Sequence, residues 1–190
     1  MGPAPGTGEC DGTPLGHMTK STLVRAGSLA AIVGGTLRTA ASFAPVVIHS
    51  DTERESLYIL VDVCLSIGLV GFYARHSKSI GWPGMAGLIL ALVGLATVRA
   101  SWAISTVDLY PAGALATACG VILISARTWV AREIRGWVPI AFLLSTLVGL
   151  AGSYMRGADA IVVWSGVIFG IAFAGLGVET WKPHSEQNES

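Results

Sequence analysis

Residues 136–178 read GWVPIAFLLSTLVGLAGSYMRGADAIVVWSGVIFGIAFAGLGV, and this stretch decides the class of fold. Two runs without a charge, 136–155 and 160–178, flank a short interruption carrying Arg156 and Asp159. A helix needs about 20 mostly apolar residues to cross the hydrocarbon of a bilayer, and each run has that length. Neither alternates apolar with polar residues, which excludes barrel strands. The stretch therefore reads as a hairpin of two membrane helices.

The same pattern extends toward the N-terminus. Residues 79–98 are free of charge, and 109–126 form a slightly shorter run. Residues 23–48 contain Arg38 and, at their start, Arg25, and residues 56–74 contain only Asp62. The expected fold is all-α: a polytopic membrane bundle of six helices near 23–47, 56–75, 80–103, 109–128, 136–156 and 159–181. Residues 1–22, rich in Gly and Pro at their start, read as a flexible tail, and residues 182–190 as a short polar one. Lys20, Arg25 and the apolar residues after them imitate a secretory signal peptide, but the segment is kept as the first span.

Composition agrees. The chain of 190 residues is 52% hydrophobic and 13% charged, against about 25% charged in soluble domains. Its mean hydropathy is +0.63. Twelve basic residues balanced by 12 acidic ones exclude a nucleic-acid binder, and three cysteines exclude a disulfide scaffold.

Loops sort by charge. Lys20, Arg25, Arg75, Lys78, Arg127, Arg132, Arg135 and Lys182 fall on one side, and Asp51, Glu53, Arg54, Glu55, Asp108, Arg156 and Asp159 on the other. The excess of Lys and Arg marks the cytoplasmic face, so both termini are expected there, in a bacterial inner membrane. Tyr73, Trp82, Trp129, Trp137 and Trp181 then form an inner aromatic belt, and Tyr58, Trp102, Tyr110, Tyr154 and Trp164 an outer one.

With this orientation Arg38, Asp62 and Arg99 converge at similar depth in the outer half of the bundle. A charge at a helix centre costs roughly 2.5–3.5 kcal/mol on insertion scales, so Asp62 should pair with one of the arginines. Two readings stay open: an outward polar pocket for an anion, a polar headgroup or protons, and a structural ion-pair network. Arginines on the odd helices (Arg38, Arg99, Arg156), aspartates on the even ones (Asp62, Asp108, Asp159) and the string Leu-Val-Gly-Leu-Ala at 92–96 and 147–151 suit three diverged helical hairpins, or chance recurrence.

Small residues recur every fourth position: Ala26, Ala30 and Gly34; Ala112, Ala116 and Gly120; Ser145, Gly149 and Ser153; Gly166, Gly170 and Ala174. Such ladders let backbones approach within the bundle or against another membrane subunit. Six helices in so short a chain, with Ala26 and Ala30 at this spacing, are similar to the substrate-capture subunits of energy-coupling-factor vitamin transporters. That resemblance covers one short motif and the size of the chain, and implies docking through the first helix.

His17, His49, His76 and His184 fall in tails or at helix ends, which disfavours histidine-held haem or pigment. There is no HExxH, GxSxG or GxxxxGK[ST] signature, and no cysteine pair has metal-ligand spacing. No cofactor beyond lipid and no enzymatic activity is expected. The expected function is that of an accessory or structural subunit in a larger membrane assembly, partnered by other membrane chains or by itself. The alternative is binding or transport of a small molecule or ion at Arg38, Asp62 and Arg99.

Overall fold

The computed structural model describes residues 20–103, 109–155 and 159–181. They form helices joined by short turns, with no strand among them. The elements are α1 (Lys20–Ala41), the short α2 (Ala44–Val47), α3 (Asp51–Ala103), α4 (Tyr110–Val130), α5 (Trp137–Tyr154) and α6 (Asp159–Trp181). Among the described residues, three helices are long and apolar enough to cross a membrane: Asp51–Ser101, Tyr110–Val130 and Ala160–Trp181. Trp137–Gly152 is a shorter apolar helix. The tails, Asp108, Arg156 and Lys182 lie outside the described residues, as do the side chains of Trp102 and Tyr154.

The expected first helix, 23–47, is divided in two because of Pro45. A proline inside a helix clashes with the carbonyl four residues back and lacks the N–H to bond it. That carbonyl belongs to Ala41, the last residue of α1. The chain turns at Ser42 and Phe43 and resumes as α2, with Pro45 in its first turn. The Ala41 carbonyl instead accepts from the Tyr58 hydroxyl at 3.3 Å, which ties α1 to α3.

α3 has 53 residues. A straight helix of that length would extend about 80 Å, far more than one bilayer crossing needs. It is two helices meeting at Gly81, whose φ of 53° and ψ of −149° are non-helical. An L-residue is strained there, whereas glycine is not. Pro83 sits in the first turn of the second half, where a missing N–H does no harm. Residues 76–79, expected to form a loop, stay helical up to this one-residue hinge. Likewise Asp51, Glu53 and Glu55, expected on a loop, occupy the first turns of α3. Acidic side chains are favoured there by the helix dipole.

The long helices pack antiparallel in a closed cycle. α1 lies against the first half of α3, the second half of α3 against α4, α4 against α5, α5 against α6, and α6 against α1. Close backbone approach joins them, the kind of packing that holds helices together where lipid supplies no hydrophobic drive between them. A Cβ at Gly27 would overlap Gly71 on α3, and one at Gly35 would overlap Gly170 and Ala174 on α6. Gly120 on α4 meets Gly87 and Ala91 in the same manner. Between these seams lie Leu69, Phe72, Ile124, Phe142, Phe173 and Leu176, all essentially buried. The Phe142 and Phe169 rings meet edge to face at 5.3 Å.

Hydroxyls in the bundle bond back to carbonyls one turn earlier, as Thr117 does to Gly113, Thr128 to Ile124 and Thr180 to Leu176. Among the described residues no buried side-chain nitrogen or oxygen lacks a partner.

Candidate functional site: an ion pair in a lateral groove

The two halves of α3 run side by side and leave a groove of about 480 Å³ between them. Its walls are Ile59, Val63 and Ile67 from the first half and Leu92, Leu95 and Ala96 from the second. Ser66 adds a hydroxyl. Ile59, Val63 and Ile67 are each nearly half exposed, so the groove opens on the outer surface of the bundle and not into its core.

Asp62 and Arg99 also line the groove. Arg99 Nε donates to Asp62 Oδ2 at 2.5 Å, with side-chain exposures of 27% and 22%. The pair joins residues 37 positions apart and fixes the register of one half of α3 against the other. Arg38 comes near but does not join. It acts electrostatically on the same carboxylate, yet it has no ion pair among the described residues and is absent from the groove lining. Its guanidinium lies beside Gly166 of α6.

The small-residue positions divide between the interior and the outer surface. Gly166 abuts Ser42, Gly170 abuts Thr39 and Gly35, and Ala174 abuts Gly35, all in the α1–α6 seam. Gly34 is buried on Cys64 and Leu65 of α3. Ala30 is half-buried and Ala26 exposed.

At the opposite end of the bundle the histidine reading needs correction. His76 is not a peripheral residue: it is only 3% exposed, with its ring 4.5 Å from that of Phe72. Nδ1 lies 3.0 Å from the Phe72 carbonyl, and Nε2 lies 3.5 Å from Glu133 Oε2. Beside it, Arg75 Nη1 donates to the Thr180 carbonyl at 2.5 Å, and Arg135 faces the buried Glu179 at 3.6 Å. The signal was present in the sequence. Leu65, Leu69, Phe72 and His76 form one buried stripe at helical spacing, and His76 continues it a turn past the apolar run.

Glu133 reaches His76 because of the way α4 ends. The Arg132 N–H donates to the Trp129 carbonyl and the Glu133 N–H to the Thr128 carbonyl, a Schellman closure. The residue at its left-handed position is usually glycine. Here it is Arg132, at φ 59°.

Among the described residues no group of three or more His, Cys, Asp or Glu could hold a metal ion. Cys64 and Cys119 are free thiols on different helices. No family model matches the chain, and no match to a curated protein or a solved structure is found.

Proposed function

We propose that this chain is a non-catalytic, six-span membrane protein that binds a small amphipathic molecule in the lateral groove of α3. The observation that carries this reading is the Asp62–Arg99 pair set in walls that are otherwise apolar. Charges that face lipid are costly, and those retained in a membrane helix tend to mark a functional position. The groove lies within the roughly 300–1,000 Å³ usual for small-molecule sites. Its two charges offset each other, which suits an uncharged or zwitterionic polar head, with the apolar walls taking the tail.

Six spans follow if α3 crosses twice, turning at Gly81, and if α1 and α5 each cross once. The Arg75, Lys78, Arg132 and Arg135 end of the bundle is then cytoplasmic, and both termini with it. Reporter proteins fused to the two ends should both report the cytoplasm, whereas opposite locations would require an odd number of spans.

The binding test uses purified protein in nanodiscs, native mass spectrometry for retained lipids, and thermal unfolding with single-chain amphiphiles of varied headgroup. Wild type should be stabilised by an uncharged or zwitterionic amphiphile. The net-neutral double variant D62L/R99L should fold and lose that response. Equal stabilisation of both proteins would sink the reading.

An accessory role in a larger assembly is the second reading. It rests on Ala26, a small residue left outward on α1 while Gly27 and Gly34 are taken up inside. Partner chains co-purifying with wild type but not with A26L would support it.

A further inference from the structure

We infer that the α3 groove takes a lipid whose head is a phosphodiester bearing a primary ammonium, the chemistry of phosphoethanolamine. The phosphate sits on Arg99, the ammonium on Asp62, and the ester carbonyl of the chain on Ser66. This rests on the groove being the binding site proposed above, and it comes from the polar atoms that the ion pair leaves unused. Arg99 does not present its fork to the carboxylate, because Nε alone donates, to Oδ2. Among the described residues, neither Nη of Arg99, nor Asp62 Oδ1, nor the Ser66 hydroxyl makes a hydrogen bond. Other α3 hydroxyls, those of Ser56, Thr97 and Ser101, bond back to carbonyls of their own helix. No buried side-chain nitrogen or oxygen among the described residues lacks a partner, so the unused atoms are accessible, and all belong to residues that line the groove.

Each unused atom asks for a different complement. A free guanidinium edge suits two oxygens of one anion, as a phosphate offers. Asp62 Oδ1 can only accept, so it calls for an N–H or O–H donor, and the Ser66 hydroxyl can donate to a carbonyl. Their order along the groove is that of a lipid. Ser66 lies one helical turn beyond Asp62 toward the Gly81 hinge, and Ile67 and Leu92 continue the apolar walls past it. Head, ester and hydrocarbon follow the same sequence in a diacyl or single-chain phospholipid. A choline head carries the same charges, but its quaternary nitrogen has no N–H for Oδ1. An anionic head sets a like charge against that carboxylate, and an uncharged glyceride leaves the guanidinium without an anion.

The experiment follows thermal unfolding of the full-length protein in maltoside micelles. Four single-chain amphiphiles of one acyl length are added, with phosphoethanolamine, phosphocholine, phosphoglycerol or glycerol heads. The ethanolamine form should stabilise wild type at concentrations about 10-fold below the other three, the difference made by one hydrogen bond to a charged group. S66A should fold normally and weaken that response about 5-fold. Glycerophosphoethanolamine, the same head without a chain, should have no effect at matching concentrations. Equal responses to the ethanolamine and choline heads, or a stronger one to phosphoglycerol, overturn the inference. If D62L/R99L loses those responses, the groove still stands as a binding site. Responses that are the same in wild type and D62L/R99L overturn the site itself. A chain-free head that acts as strongly as the amphiphile overturns lipid as the occupant, and an unchanged response in S66A overturns the order assigned along the groove.

Discussion

Removing Asp62 and Arg99 singly and together tests whether their contact links the two halves of α3. Asp62 lies 11 residues beyond Asp51, about 16 Å along the helix, while Arg99 lies four before Ala103, about 6 Å from that end. The two residues are therefore unequal once separated. R99L strands a short carboxylate among Ile59, Val63 and Leu95 and should cost roughly 2–3 kcal/mol. D62L leaves a long side chain near a helix end, free to extend to the interface, and should cost only about 1 kcal/mol. Replacing both with leucine removes the charges and extends the apolar wall, so the double variant should lie within about 1 kcal/mol of wild type. The coupling energy is then about 2 kcal/mol, within the range found for residues in direct contact. Reversible unfolding in mixed micelles, monitored by tryptophan fluorescence, gives all four stabilities. Single effects that add to within about 0.5 kcal/mol, or D62L costing more than R99L, would refute this account.

Two further substitutions test the seams and the cap. G170V places a branched side chain on Thr39 and the Gly35 carbonyl, so it should force α6 off α1 and lower stability by at least about 3 kcal/mol. A measured cost below about 1 kcal/mol would mean the α1–α6 seam is not formed as described. R132G relieves a side chain held at φ 59° and should raise stability by about 0.5–1 kcal/mol, seen as a higher Tm. No gain would show that the Arg132 side chain makes compensating contacts.

Much of the helical layout was legible in the sequence because hydrocarbon leaves so little latitude. A run such as 160–178, uncharged and unalternating, has few other uses. The boundary at Ala41 was also legible in principle, since Pro45 dictates it four residues ahead. Residues 76–79 were not. Arg75, His76 and Lys78 look like a hydrated loop, yet Arg75 and His76 find partners on α6 and the α4–α5 connection and the helix continues to Gly81.

For the site, sorting charges by depth brought Arg38, Asp62 and Arg99 to one level. Depth does not give direction around the helix axis, and that direction selects Arg99 as the partner and turns Arg38 toward α6. His76 with Glu133 lies beyond any local reading, because the contact depends on a left-handed Arg132 that no propensity anticipates.

The packing of α1 on α6 has a consequence for biosynthesis. These helices stand at opposite ends of the described chain, and their seam closes the cycle. A ribosome delivers α1 before α6, so the face carrying Gly35 and Thr39 waits while α3, α4 and α5 are made. Nascent chains halted before α6 should remain open and susceptible to quality-control proteases, whereas addition of α6 closes the cycle of described helices in a single late step.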